Sequence, residues 1–538
     1  MRQIVTAADV QDAHMQGRDH LEVTPETVVT DEARDCAVRM GICFIDAQEN
    51  AVEEVTVDVD GTLNEDPDRG SATDEILSIE TRSDVIITGG EILLPGQDIV
   101  RADVVIDDGR VIALCQGASS DGLQVDAAGL LVAPGLFDPH VHIGLLSSPG
   151  EELATEGNAA LLGGICTLGW FIGGEGSHLG MLDGLEGLVS AHSGVDIVPH
   201  LVIGDRTQLQ EIPEYYERGV RSFKLYMCGI PGLIESVDDG FIMDVFEALS
   251  PYKDEVLLCI HAENASVVDR ALARNELDGD YDAVSWSETH PALAEEEAII
   301  RGELLGRQFG VRTYFVHVSS REGLEAVRRV RREGGGGRIF AETTSPYLAA
   351  PLSASVSEKM VPPLRDRETA DALWRGLDEG VLQVVGTDNV TMTAEEKGLG
   401  GPADAVMPGY PALGTHLPLL LHEGYHRRSA DLMTLMTAVT RGPAEIFGVY
   451  PRKGTLLPGS DADCVVIDLD EKRRVEPQRL GSRSDFALAQ GRTLRGWPVM
   501  TMKGGAIAAL NGSRRGKSQG RVILRKSGSE GRTRRERD

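Results

Sequence analysis

The sequence predicts an α/β protein built on a (β/α)8 barrel, with a β-sandwich formed from both flanking segments and an N-terminal extension ahead of it. Three observations carry this expectation. Eight short apolar runs alternate with helix-like stretches between about residues 134 and 450. β-rich pieces stand on both sides of that region. Histidines and one carboxylate fall at the ends of the apolar runs, on the face where barrel active sites lie.

Composition sets the outer limits. The chain has 538 residues, enough for one large domain with additions or for two domains. Hydrophobic residues make up 41%, which excludes global disorder. Lys and Arg number 52 against 85 Asp and Glu, a net charge of −33, which argues against a generic binder of nucleic acid or of an anionic membrane. No apolar run reaches the roughly 18 residues of a membrane span, and the opening MRQIVTAADVQDAH lacks the apolar core of a signal peptide. Seven scattered cysteines, never in CxxC, fit a reducing cytoplasm and argue against a disulfide frame or a thiolate zinc site.

In chain order, residues 1–82 form an acidic N-terminal extension and linker with 20 acids and 6 Arg. Within it, Ala7–Met40 has helical periodicity, and 46–82 reads as a solvated linker. Residues 83–133 are strand-like and form the first part of the sandwich; Asp108-Gly109 between two apolar runs signals a hairpin. Residues 134–454 form the barrel. Its strand candidates are Leu136–His142, Gly164–Phe171, Asp196–Ile203, Ser222–Met227, Glu255–Glu263, Arg312–Ser320, Ile339–Ser345 and Leu382–Asn389. A doubly wound sheet is the competitor, but no GxGxxG follows a first strand. The GGGG run at 334–337 precedes a strand and suits a helix stop better than a phosphate loop. Residues 455–510, with DADCVVIDLD, supply the second part of the sandwich. Residues 511–538 read as a basic disordered tail; from Gly512 onward they carry 10 basic and 3 acidic residues.

The strongest local signal is Asp138-Pro139-His140-Val141-His142. In a strand, residues two apart face the same way, so His140 and His142 point together into the barrel mouth. Two imidazoles on one face suit a zinc ion, although HxH alone is weak. His261, His317 and Asp388 end strands five, six and eight, so their side chains converge with the first pair. Lys224 ends strand four. A buried Lys makes a salt bridge, acts as a nucleophile when its pKa is lowered, or combines with CO2 to give a carbamate able to bridge two cations.

These pieces resemble the cyclic amidohydrolases: the hydantoinases, dihydropyrimidinases and allantoinases of the urease-like amidohydrolase superfamily. The resemblance covers about residues 83–510 and rests on GLLVAPGLFDPHVH, SFKLYM, IHAEN, THPALAEEEAIIRGELLG, YFVHVSS, AETTSPYL, VPPLR, GTDN and RGPAEIFGVYPRKGTLLPGSDADCVVIDLD. It implies a TIM-like barrel, a hydrolase acting on non-peptide C–N bonds in cyclic amides, two divalent metal ions (zinc) and a homotetramer. It implies that His140, His142 and Asp388 hold the buried metal, that His261 and His317 hold the exposed one, and that carbamylated Lys224 bridges them. Asp388 is then the catalytic acid–base group. The substrate positions implied are Gly229, Val361 and Gly409.

The chain departs from that family at those substrate positions. Gly229 stands where hydantoinases carry a Tyr that hydrogen-bonds the reacting carbonyl, as in the allantoinase version. Val361 stands where a Ser commonly precedes PPLR, and Gly409 replaces the Asn of a PNG turn. Asn389 follows the metal Asp where a His is usual. Gly229 is expected to open space beside the metals, favouring a polar or bulky ring such as allantoin over plain hydantoin or dihydrouracil, with backbone N–H groups near Val361 and Gly409 holding the ring amide. Trp170 and Phe171 suit core packing or an apolar wall, and Glu263, Asn264 and Ser319 suit partners of the ligands. The N-terminal VTAADVQDAHMQGRDHLEVTPETVVTDEARDCAVRMGI is similar to segments on enzymes of bacterial microcompartments, which implies a packaging role; an extra helical cap on the barrel is the alternative. A non-catalytic assembly member and an amidohydrolase acting on a non-ring C–N bond are the competing functions. Deleting residues 1–80 should leave the barrel folded and active, because residues 46–82 hold too little apolar surface to dock tightly; thermal melting and turnover of the truncated chain check this.

Overall fold

The computed structural model describes residues 84–525, except 119–121, 231–232, 276–281, 335–336, 351–352, 354, 402–404 and 517, together with four short strands nearer the N-terminus. Those four belong to a separate unit, Met1–Glu75, and pair in parallel, Ile4–Val5 with Val28–Val29 and His20–Val23 with Cys43–Asp46. Strands at 20–23 and 28–29 replace part of the helix expected over Ala7–Met40; the rest of that stretch and the linker at 47–82 lie outside the described residues.

Eight parallel strands make the barrel: β1 (Leu136–His142), β2 (Ile165–Ile172), β3 (Asp196–Val202), β4 (Ser222–Tyr226), β5 (Leu257–His261), β6 (Arg312–Phe315), β7 (Ile339–Thr344) and β8 (Val384–Gly386). Each pairs with the next in sequence, and a short strand at Asn389–Val390 returns to β1 and closes the ring. β1 to β5 are buried along nearly their whole length, which is why they read as continuous apolar runs rather than as alternation. Several strands are shorter than the sequence suggested, β5 by two residues at each end, and two of them break for a backbone reason. β6 stops at Phe315 and β8 at Gly386, because His317 (φ +40°) and Asp388 (φ +54°) adopt left-handed backbone that a strand cannot continue.

Closure depends on one buried carboxyl. Asp138 on β1 accepts the backbone N–H groups of His140 (3.2 Å) and Thr387 (3.1 Å), and its second oxygen accepts the Thr387 hydroxyl at 2.5 Å. Burial pushes the Asp138 carboxyl up to about 7, against these hydrogen bonds. The Gly-rich run after the helix Arg321–Glu333 does act as a stop: the backbone N–H of Gly334 closes onto the Val330 carbonyl at 2.7 Å.

The flanks form two sheets. One, of four strands, comes from the first flank and has the order Leu123–Asp126, Val85–Thr88, Asp103–Asp107, Arg110–Cys115. The other has seven, and in it Leu131–Pro134 of the first flank pairs antiparallel with Cys464–Arg474 of the second. The Asp108-Gly109 hairpin forms with both residues at positive φ, as a two-residue turn requires. Ile87, Ile92, Val104, Val466 and Met500 belong to the apolar core shared by the two sheets.

The C-terminal tail differs from expectation up to residue 525. Ser513–Arg514 adds a strand to the seven-stranded sheet, and Arg521–Ile523 lies along the start of β3, with Ile197 N–H on the Arg521 carbonyl (2.9 Å) and Ile523 N–H on Ile197 (2.8 Å). Its charge finds partners: the Arg521 guanidinium reaches Asp196 (3.3 Å) and Asp461 (2.9 Å). Residues 526–538 lie outside the described residues. Beneath Arg521, Lys453 is buried against Asp196, Asp461 and Asp463 at 2.5, 2.9 and 2.5 Å. No helix among the described residues is long and apolar enough to cross a membrane. Removing one partner of a buried ion cluster typically costs about 3–5 kcal/mol, so Lys453→Met should lower unfolding stability by that order, read from denaturant melts.

Candidate active site

Strand geometry brings four of the predicted side chains together directly. His140 and His142 come from β1, Lys224 from β4 and His261 from β5; Asp388 follows β8 at the break where the ring closes. His317 joins them from just past β6. A cavity of about 50 Å3 has His142, Lys224, His261, His317 and Asp388 in its lining, together with Tyr226, Val361 and Gly409.

Two groups of donor atoms form around Lys224. In the first, one oxygen of Asp388 lies 3.1 Å from His140 Nε2 and 3.2 Å from His142 Nε2. In the second, His261 Nδ1 and His317 Nε2 face each other at 2.9 Å. Lys224 Nζ sits 3.4 Å from His140 Nε2 and above the rings of Phe171 and Tyr226 at 4.3 and 4.8 Å. The far nitrogens are already engaged. His140 Nδ1 meets Glu342 at 2.6 Å, and His261 Nε2 meets Glu263 at 3.1 Å. Glu263 also takes His290 at 2.9 Å, and Glu342 also accepts the Tyr314 hydroxyl (2.8 Å) and the His317 N–H (3.1 Å). Each carboxyl therefore turns the opposite ring nitrogen toward the shared space, as carboxylates do behind metal-bound imidazoles.

The electrostatics agree with cation binding. Burial holds the imidazoles of His140 and His317 well below their usual range and lowers His261, so these rings stay neutral and keep lone pairs for a metal. Burial alone would raise Asp388, but the imidazoles of His140 and His142 beside it outweigh that and hold the carboxyl well below the carboxylate range. Burial pulls the Lys224 ammonium down to about 8, against the pull of Asp388, so a neutral amine is accessible near physiological pH. Burial pushes the Glu342 carboxyl up to about 8, against the hydrogen bonds it accepts from Tyr314 and the His317 N–H. Lone pairs crowded at about 3 Å with no cation between them repel. The donor set therefore fits two divalent cations with Lys224 between them, and His140, His142 and Asp388 on their own meet the spacing of a metal site.

The positive φ of Asp388 has a local cause. A non-glycine residue in this region is strained and is held there by its surroundings. Thr387, pinned to Asp138, fixes the backbone before Asp388, and the 2.8 Å bond between Asn389 Oδ1 and the Ala412 N–H fixes it afterwards. Asn389 is thus an anchor for the 410–412 turn and not a ligand. Phe171 lies beneath the histidines, 4.7 Å from His140, whereas Trp170 faces the outer core and donates to the Ile143 carbonyl. Asn264 binds Glu297, and Ser319 donates its N–H to Glu295, so neither supports a ligand directly.

The substrate positions divide. Val361 and Gly409 line the cavity. Gly229 does not, and the space beside it is filled: a side chain there would meet the Ile234 carbonyl at 2.6 Å and the Ser236 nitrogen at 2.8 Å. The expected opening beside the metals is closed by returning backbone. The Gly409 N–H is also spent, on the Lys359 carbonyl at 3.0 Å. A residue not foreseen, Lys397, ties these loops: its buried ammonium donates to the carbonyls of Lys359 (3.1 Å), Met407 (2.9 Å) and Gly409 (2.7 Å). Glu342 and His290 were likewise missed. AETTSPYL and THPALAEEE stood out as motifs, but nothing in spacing told which polar residue faced inward.

The chain and its fold resemble known proteins. The amidohydrolase family model matches residues 343–508. An L-hydantoinase of Paenarthrobacter aurescens is 30% identical over 78% of this chain and 93% of its own length, and a D-hydantoinase of Streptomyces coelicolor is 32% identical over 78% and 95%. An allantoinase of Solibacter usitatus is 28% identical over 82% and 98%. Among solved structures, the L-hydantoinase (dihydropyrimidinase) from Arthrobacter aurescens superposes with a TM-score of 0.76 at 26% identity, covering 82% of this chain and 100% of that one. The chain belongs to the cyclic amidohydrolase family, with the TIM-barrel fold of the hydantoinases.

Two outcomes test the metal assignment. Lys224→Ala should lose both equivalents of metal and all activity, with added short-chain acid and metal restoring part of it; elemental analysis and turnover read the result. Glu342→Gln should weaken metal affinity about 10- to 100-fold while leaving the fold intact, as loss of a carboxylate behind a ligating histidine typically does; chelator competition measures this.

Proposed function

We propose that this protein is a binuclear metal-dependent hydrolase that opens the ring amide of a cyclic ureide or related cyclic amide. The observation that carries the reading is the convergence of four imidazoles and Asp388 around a buried Lys224, all but His140 in the lining of one cavity. In the proposed assignment His140, His142 and Asp388 hold one divalent ion, His261 and His317 the other, and a carbamate on Lys224 both. When bound, such a pair of ions, zinc in this reading, supplies Lewis-acid activation of water and of a carbonyl oxygen.

The residues do the rest. Asp388 accepts a proton from the attacking water as its oxygen bonds to the carbonyl carbon. It returns that proton to the ring nitrogen as the C–N bond breaks, giving an acid and a freed N–H. Glu342 and Glu263 keep His140 and His261 oriented throughout. Lys397 holds the 359–361 and 407–409 segments together beside the reacting ring.

The walls bear on the ring. Leu145, Ile230, Leu233, Ile234, Met360, Val361 and Val390 line the cavity, with Leu145 and Leu233 exposed at 39% and 38%. With the space beside Gly229 filled, these walls favour a ring bearing an apolar substituent over the polar allantoin. Family resemblance and composition support a homotetramer in the cytoplasm; the similarity of the N-terminal segment supports packaging in a bacterial microcompartment.

Burying one apolar side group contributes about 1.5–3 kcal/mol, so kcat/KM for 5-phenylhydantoin should exceed that for hydantoin, dihydrouracil and allantoin by roughly 10- to 150-fold. Steady-state kinetics on one metal-loaded preparation test this; allantoin as the fastest substrate would reverse the ring assignment. Asp388→Asn should keep at least one metal and lose most turnover, because an amide offers an oxygen to the cation but takes no proton; a near-normal rate would remove Asp388 from the proton transfer.

A further inference from the structure

Tyr226 closes β4 two residues beyond Lys224, so the two side chains stand on the same inner face of the barrel. It lines the cavity and is 3% exposed. Its ring stacks on His261, with centroids 5.3 Å apart and 29° between planes, and lies 4.8 Å from the Lys224 ammonium. These contacts fix the ring and leave only the C–O bond free to turn. Its hydroxyl has no hydrogen-bond partner. Two neighbouring buried tyrosines are satisfied: Tyr314 donates to Glu342 at 2.8 Å, and Tyr347 to the Pro362 carbonyl at 2.7 Å.

A buried hydroxyl with nothing to bind is costly, and such groups call for a reason. The lining of the cavity supplies one. Apart from the candidate metal ligands, Tyr226 is the one side chain among its described residues that carries a polar hydrogen. Gly229 brings no side chain, and the Gly409 N–H is taken by Lys359. A reaction that builds negative charge on a carbonyl oxygen in this cavity has one unassigned side-chain donor to meet it.

We propose that Tyr226 is a catalytic residue whose phenol donates a hydrogen bond to the substrate carbonyl oxygen as that oxygen takes up negative charge. The step balances without moving the phenolic proton. The water oxygen bonds to the carbonyl carbon, and the π pair moves to the carbonyl oxygen, which accepts from Tyr226. When the ring C–N bond breaks, the pair returns and the hydrogen bond relaxes. The proposal rests on the ring-amide reading.

The test is Tyr226→Phe in the full, metal-loaded chain, with 5-phenylhydantoin, hydantoin, dihydrouracil and allantoin as probes. Removing one such donor lowers kcat by roughly 10²–10³-fold, with KM held within about 3-fold. Metal content should match the parent protein, and the melting temperature should not fall, because the deleted hydroxyl bonds to nothing. A variant with kcat within about 5-fold of the parent overturns the proposal. So does one that loses metal or melts lower, which would make Tyr226 a structural residue. A parent protein that is metal-loaded and turns over none of the rings overturns this proposal and the ring-amide reading together. An active parent with an active variant overturns this one alone.

Discussion

One carboxyl joins the two ends of the barrel. Asp138 reaches from β1 to Thr387; His140 stands two residues past Asp138, and Asp388 one past Thr387. The closing of the ring and the meeting of the first three metal-ligand candidates are therefore the same event. A TIM-like barrel gains its active face from strand ends that converge. Here convergence is pinned at the seam, where β8 stops and a two-residue strand takes over. The left-handed backbone of Asp388 is the local cost of that handover.

Around the seam, buried charge is arranged in pairs at two depths. Imidazoles face the cavity; behind two of them stand Glu342 and Glu263, each tied to further hydrogen bonds. Isolated buried carboxylates would be expensive, and these are not isolated. The same logic recurs at the opposite end of β3, where Lys453, Lys503 and Arg521 neutralise Asp196, Asp461 and Asp463. The latter aspartates also have the spacing of a cation site, but the lysine ammonium occupies that role.

Much of this was legible in the residues alone. His140, His142 and His261 end runs so apolar that an imidazole there needs a reason, and barrel topology gathers strand ends. Asp388 and His317 were found for the same reason, although their backbone leaves the strand before they arrive. Glu342, Lys397 and His290 were not readable, because a single polar residue in a mixed segment gives no sign of which way it turns. Gly229 misled: a missing side chain suggested room, but the backbone of Ile234 to Ser236 folds back into it. The tail misled for a related reason. Counting charge shows a basic end, but not that Arg521 meets an aspartate 325 residues earlier.

That last contact bears on what can be cut from the chain. The start of β3 bonds to residues 521–523, and Arg521 gives Asp196 and Asp461 a cation. β4 pairs with β3 only from His200 onward, so without this segment the Ile197 backbone loses both of its partners on that side and two aspartates lose a counter-charge. A stretch that its charge alone would mark as dispensable is therefore part of the barrel's lower rim, and trimming ahead of Arg521 removes structure rather than surplus.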